Sequence, residues 1–104
     1  MGPCPRNSWN VARRRTEPGA DWSEYAQRFA TTLRATRERL KLSQEDVAYR
    51  AGLTRFTYQK YEKGESRPGA PVNPSLRSLL GIAQALEVEL IELLPRPIPD
   101  LRRR

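Results

Sequence analysis

Residues 44–61, QEDVAYRAGLTRFTYQKY, constrain the fold more than any other part of the chain. They hold two short helical patterns with almost nothing between them. Ser43 is an N-cap residue, and Glu45 and Asp46 follow in the first turn, where carboxylates meet free backbone N–H groups and the positive end of the helix dipole. The pattern continues through Val47, Ala48 and Ala51. It stops at Gly52, which tolerates the positive φ of a left-handed helix end and of a sharp turn. Thr54 then caps another helix that runs to about Lys63, ahead of Gly64. Val47, Leu53, Tyr58 and Tyr61 fall at inward positions, and Ala48 is small where the two helices would cross.

The flanks add more helix. The spacing predicts a first helix over 22–40, capped by Asp21 or Ser23, with Trp22, Tyr25/Ala26, Phe29, Leu33 and Leu40 on one stripe. Arg37 lies on that same stripe. Residues 65–73, ESRPGAPVN, read as a Pro/Gly loop. A fourth helix opens with Asn73 as cap and Pro74 at its first position, and puts Leu76, Leu79, Leu80, Ala83 and Leu86 on one face. A short fifth helix over 89–94 carries Leu90, Leu93 and Leu94, and Pro95 ends it. No period-two run of useful length occurs. The fold class is therefore all-α, with one helical domain over 21–94. Residues 1–20 hold two Gly and three Pro with almost no apolar periodicity, and read as a flexible basic arm. Residues 95–104, PRPIPDLRRR, read as an extended Pro/Arg-rich tail.

Composition excludes several kinds of chemistry. The 104-residue chain carries 19 Lys+Arg against 12 Asp+Glu, a formal charge of +7, and it has one Cys and no His. The usual Cys/His zinc sets and a Ser-His-Asp or Cys-His catalytic unit are thus ruled out. No phosphate-cradling Gly loop is present. The expectation is a protein that is not an enzyme and needs no metal or cofactor. A lone Cys4 cannot form an intrachain disulfide, which suits a reducing cytoplasm. No apolar run approaches the roughly 20 residues of a membrane span. The basic residues do not line one amphipathic helix, so no membrane partner is expected. Both tails and the middle of the chain are basic, whereas residues 81–95 carry Glu87, Glu89 and Glu92 with nothing basic. Such a balance favours an anionic partner. Solvated charge on an Arg-rich composition is the plainer alternative.

The spacing of residues 44–61 is that of a helix-turn-helix, whose second helix enters the major groove. Residues 33–94 resemble the phage-repressor/Cro-type (XRE) helix-turn-helix family. The matching residues are Leu33-Arg34, Arg37, Leu42-Ser43-Gln44, Val47-Ala48, Ala51-Gly52-Leu53, and Glu62 with Gly64. Beyond the loop they are Asn73-Pro74-Ser75, Leu79, Ala83, Leu86, Val88 and Leu93-Leu94. The resemblance implies a five-helix lambda-repressor-like DNA-binding domain that binds double-stranded operator DNA as a homodimer. Two positions depart from the pattern: Lys41 and Glu87 stand where Gly is frequent after the first and fourth helices. The loop 65–73 is also long and Pro-rich.

On a helix opening at Thr54, residues 55, 56, 59, 60 and 63 share one face. Arg55 and Lys60 suit guanine, Gln59 suits adenine, and the Phe56 ring suits a thymine methyl. By resemblance Arg55, Phe56 and Lys60 hold the main base-reading positions. Phe56 has an alternative, packing against the second helix of its own domain. Backbone contacts are expected from Gln44 at a helix N-terminus, from the Thr54 and Thr57 hydroxyls, and from Lys63 and Arg67. By resemblance Arg37 and Glu62 form a partly buried ion pair joining the first and third helices. Arg13, Arg14 and Arg15 are candidates for a minor-groove arm, with sequence-independent attraction as the alternative. Arg102–Arg104 take that non-specific role. Cys4 and Trp9 are given no role. The function expected is sequence-specific transcription regulation, with repression as the default. The alternative is an antitoxin-like or adaptor protein whose main partner is another protein, met through residues 87–92 and the Pro-rich tail. Leu90, Ile91 and Leu94, or Trp22 and Tyr25, are candidates for a dimer surface, unless they complete the core.

Overall fold

A computed structural model describes residues 20–102. It contains five helices and one very short hairpin: α1 (Ala20–Arg39), α2 (Gln44–Ala51), α3 (Arg55–Lys63), β1 (Glu65–Arg67), β2 (Ala70–Pro71), α4 (Leu76–Leu86) and α5 (Leu90–Leu93). The candidates Arg13, Arg14 and Arg15, together with Cys4, Trp9, Arg103 and Arg104, lie outside the described residues.

The helix α1 starts earlier than its sequence pattern suggested. Asp21 therefore sits in the first turn, and neither it nor Ser23 is the cap. The buried stripe is Tyr25, Ala26, Phe29, Ala30, Leu33 and Thr36. Thr36 satisfies its buried hydroxyl by donating to the Thr32 carbonyl at 2.9 Å. Leu40 was expected on this stripe but is 40% exposed. The helix has already ended there, and the chain leaves through Lys41 at φ 60°.

Around the turn, local chemistry determines the boundaries. The Ser43 hydroxyl accepts from the Asp46 N–H at 2.9 Å, and the Asp46 carboxylate accepts from the Ser43 N–H at 3.1 Å. This reciprocal box satisfies two of the free groups at the start of α2. Gly52 ends the helix at φ 75°, with its N–H directed to the Ala48 and Tyr49 carbonyls. Thr54 caps α3 by accepting from the Thr57 N–H at 3.0 Å. Gly64 closes α3 at φ 84°, and a methyl group there would also run into the Gln27 amide.

Residues 65–73 are a hairpin rather than a plain loop. Glu65 pairs with Pro71 and Arg67 with Ala70 in an antiparallel ladder that is irregular between the two pairs. Pro68 and Gly69 make the turn. The strands are too short to show a period in sequence. Their exit delivers Val72, which is buried and donates its N–H to the Gly64 carbonyl at 2.9 Å.

Two readings of α4 are corrected. Its cap is Ser75, whose hydroxyl accepts from the Ser78 N–H at 3.1 Å, so Asn73 and Pro74 lie before the helix. Its buried residues are Ile82, Ala83, Ala85 and Leu86, while Leu76 is 65% and Leu80 42% exposed. The reason is the partner helix. A Cβ on Gly81 would sit 2.9 Å from the Ala51 carbonyl oxygen, so α2 and α4 touch backbone to side here and rotate α4 accordingly. Glu87 ends α4 at φ 58°. The single turn of α5 puts Leu93 into the core.

The Pro-rich segment after α5 does not extend freely from the domain. The Arg28 guanidinium donates to the Arg96 carbonyl at 2.7 Å and to the Pro97 carbonyl at 2.9 Å, and the same group lies 5.3 Å from the centre of the Tyr25 ring. Arg102 is not a free charge either, because it pairs with Asp100 at 2.8 Å.

Candidate nucleic-acid interface

Helix α3 has two faces with opposite chemistry. On the inner face, Glu62 is almost fully buried yet ionisable, so it needs donors. It has four. Arg37 Nε donates to Glu62 Oε2 and its terminal nitrogen to Oε1, at 2.5 and 3.0 Å. The Tyr58 hydroxyl donates to Oε2 at 2.5 Å, and Gln44 Nε2 donates to Oε1 at 3.0 Å. Burial pushes the Glu62 carboxyl up, but the bonds from Arg37, Tyr58 and Gln44 outweigh it and hold the group below its ordinary range. Burial first, and the bond to Glu62 second, push the Tyr58 phenol far up, so it remains a donor. The bond to Glu62 likewise raises Arg37. Arg37 also donates to the Leu42 carbonyl at 2.9 Å, and Arg34 to the Glu62 carbonyl at 3.2 Å. The cluster thus ties α1, the start of α2 and the end of α3 into one rigid block.

That block positions the outer face. Arg55 is exposed and makes no hydrogen bond or ion pair among the described residues. Phe56 is 68% exposed. Its ring is largely open to water, and the Lys60 ammonium lies 4.5 Å from the ring centre. Such a contact is worth about 0.5–1 kcal/mol at an exposed site. Gln59 is half-buried, and its Nε2 donates to Gln44 Oε1 at 3.2 Å. Lys63 is exposed at the end of the helix, and Arg67 is exposed on β1.

Not every expected site residue shares one depression. Phe56, Gln59, Lys60, Lys63, Gln44 and Arg67 line an open concavity of about 760 Å³, bounded by Arg34 and Thr31 of α1 and by the hairpin. Arg55, Thr54 and Thr57 are not part of its lining. The Thr54 hydroxyl is occupied: it caps α3 and donates to the Thr57 hydroxyl at 3.0 Å. Arg34, Lys60, Lys63 and Arg67 outnumber Glu65 along the concavity and leave it net positive, while the charge of Arg37 is met by Glu62.

Sequence reasoning placed Tyr58 among the apolar inward residues and overlooked its hydroxyl. The signal was available, since Tyr58 and Glu62 are four residues apart on one helical face and a buried carboxylate needs donors. It gave Arg34 no role beyond its place in the family pattern, and the bond from Arg34 to the Glu62 carbonyl depends on backbone geometry and not on any pattern of side chains. Among the described residues, no helix is long and apolar enough to cross a membrane and no cluster of acidic or sulfur side chains has the makings of a metal site.

Residues 28–93 match the family model described as a helix-turn-helix domain, which covers more than half of the chain. The chain belongs to the helix-turn-helix family. Its motif is of the kind carried by DNA-binding transcriptional regulators. A relative in Sinorhizobium fredii, the uncharacterized HTH-type transcriptional regulator y4dL, is 36% identical over 70 residues. Those residues are 67% of this helix-turn-helix chain but 33% of the relative, so the chain spans about a third of that protein's length. Two solved structures share the helix-turn-helix fold. One is the restriction-modification controller protein C.AhdI from Aeromonas hydrophila, with TM-score 0.59 and 36% identity, covering 66% of this chain and 96% of that one. The other is a point mutant of the restriction-modification controller protein C.Esp1396I, with TM-score 0.56 and 26% identity, covering 66% and 82%.

Proposed function

We propose that this chain is a sequence-specific DNA-binding regulator of transcription that reads the major groove with the outer face of α3 and acts as a repressor by occluding polymerase. The observation that carries the reading is that exposed face. Arg55, Phe56, Gln59 and Lys60 stand together on a helix whose inner side is locked by Glu62. Arg and Lys suit guanine, Gln suits adenine and Phe suits a thymine methyl. Lys63, Arg67 and the N-terminus of α2 at Gln44 supply contacts to phosphate, which fix register without reading sequence. The likeness to two restriction-modification controller proteins supports the same reading.

Tight binding by so small a unit calls for a homodimer on two half-sites about 34 Å apart. Tyr25 is buried, and Leu90 and Leu94 pack against the core, so most of the apolar residues considered for a dimer surface complete the domain. Leu76 and Leu80 on α4 and Ile91 on α5 remain exposed and form the better surface for a second copy.

The deciding experiment selects binding sites from a random duplex pool, with Arg55→Ala/Lys60→Ala as control. A palindromic motif that vanishes in the double variant is the expected result. Salt-sensitive, sequence-independent binding that is unchanged in the variant overturns it.

A further inference from the structure

Resting on that reading of α3, the concavity beside it brings a second groove of the duplex within reach. It lies between two exposed elements. Phe56 and Lys60 of α3 stand on one side, and Ser66, Arg67 and Pro68 of the hairpin on the other. Arg34 and Lys63 also line it, and with the charge of Arg37 met by Glu62, four cations stand against Glu65. A net positive trough of this kind suits a sugar–phosphate strand. In duplex DNA each strand separates the major groove from the minor. With α3 in the major groove and the strand in the trough, the hairpin stands across that strand, at the minor groove.

The hairpin is built to hold such a position. At its root the Val72 N–H donates to the Gly64 carbonyl at 2.9 Å, and the Gln27 amide donates to the Lys63 carbonyl at 3.2 Å. At its tip Pro68 precedes Gly69 at φ 81°, the pattern of a type II turn, and the turn closes the Arg67–Ala70 pair. Arg67 is exposed there, and its guanidinium makes no hydrogen bond or ion pair among the described residues. A backbone ordered in advance loses little entropy on binding.

We infer that the hairpin tip is a minor-groove reader: Arg67, with Pro68 beside it, enters the minor groove next to the major-groove site of α3 and selects A·T pairs there. The minor groove is about 6 Å wide, too narrow for a whole two-stranded ribbon but open to the side chains of a tight turn. A·T-rich tracts narrow it further and concentrate its negative potential, which draws arginine in. A G·C pair adds the guanine N2 amine, a donor set against a guanidinium that can only donate. The preference should fall about five base pairs, roughly half a helical turn, from the bases read by α3. Arg67 then does more than hold a phosphate, a contact that leaves base preference untouched.

The test uses the full chain and sites selected from a random duplex pool. Wild-type sites should carry an A·T-rich segment at that distance from each α3 motif. The segment is then rebuilt with inosine·cytosine pairs. These keep the minor-groove edge of A·T, because inosine lacks the N2 amine, but show the major-groove edge of G·C. Binding should stay within about twofold of the A·T site, whereas G·C pairs in the same segment should weaken it about tenfold. That comparison needs no protein variant. Arg67→Ala should then reduce the A·T preference to less than about twofold, while the positions read by Arg55 and Lys60 keep theirs. Sites without the A·T-rich segment, or inosine·cytosine pairs that bind as poorly as G·C, overturn the inference. So does uniformly weaker binding of Arg67→Ala with every preference intact and a salt slope smaller by about one, which makes Arg67 a phosphate contact only. An A·T preference that survives Arg67→Ala and is lost in Arg13→Ala/Arg14→Ala/Arg15→Ala overturns it too, in favour of the N-terminal arginines. All of these leave the reading of α3 standing. No motif at all from the wild type would instead sink that reading, and the inference with it.

Discussion

The two halves of the domain are held together by different means. The block of α1, α2 and α3 is locked by a polar cluster in which one buried carboxylate receives four hydrogen bonds from three side chains. The pair α4 and α5 is held by apolar packing of Ile82, Ala83, Ala85, Leu86 and Leu93. The polar lock is directional. It fixes helix rotation, and so fixes which side chains α3 turns outward. Apolar packing is tolerant of rotation, and there the close approach of Gly81 to Ala51 supplies the missing specification. Both halves leave apolar side chains uncovered, but the first sets Tyr49 and Phe56 among charged residues, whereas the second leaves Leu76, Leu80 and Ile91.

The largest effect should come from breaking the polar lock. Arg37→Ala leaves Glu62 buried and unpaired, a loss of about 3–5 kcal/mol, which a thermal melt followed by circular dichroism would read as loss of the fold. Unchanged helicity and melting would mean that the cluster contributes little. The same lock gives an acid dependence. The folded-state pKa of Glu62 is lowered, so its stabilisation is present above the ordinary glutamate range and is lost as pH falls through its folded value. Melts across that range should drop steadily for the wild type and less steeply for Glu62→Gln, in which nothing titrates at that position.

Next in size is the crossing of α2 and α4. Gly81→Ala improves helix propensity by about 1 kcal/mol but forces a methyl group against a backbone carbonyl, and such overpacking costs about 1–3 kcal/mol. A net destabilisation in urea unfolding is the expected outcome. A stabilised variant would show that α4 can slide, and the contrast drawn between the halves would weaken.

The exposed apolar face should matter little to the monomer. Leu76→Asp/Ile91→Asp is expected to change monomer stability by no more than about 0.5 kcal/mol per site, yet to abolish in sedimentation the self-association proposed for the wild type. A dimer that persists would move the self-association surface elsewhere.

The smallest effect is a gain. Lys41 and Glu87 adopt left-handed backbone at φ 60° and 58°, which costs a residue with a side chain about 1–2 kcal/mol. Glycine is freer in the unfolded chain, so Lys41→Gly and Glu87→Gly should each stabilise by about 0.5 kcal/mol.

Much of this was legible from sequence where local chemistry decides. Ser43, Gly52, Thr54 and Gly64 mark the helix boundaries through hydrogen bonds they make within a few residues. Ala26, Phe29 and Leu33 show their stripe because polar residues flank it. In α4 the pattern failed for a physical reason. LRSLLGIAQAL is apolar around most of its circumference, so periodicity could not choose between Leu76/Leu80 and Ile82/Ala85 as the inward residues. The base-reading candidates were found as a face, but the link between Gln44 and Gln59 was not. It spans 15 residues and depends on the rotation of two helices. The anchoring of Arg96 and Pro97 by Arg28 was invisible because its acceptors are carbonyls that any residue would offer.

That anchoring also bears on the order of assembly. Arg28 and Arg96 stand 68 residues apart in sequence, and closing a loop of that length carries an entropic cost that grows with the logarithm of its span. The two bonds become favourable only after the intervening helices have brought their ends together. A clasp that closes only after the helices have packed predicts that a quencher attached near Pro97 and read against Trp22 times the completion of folding rather than its beginning.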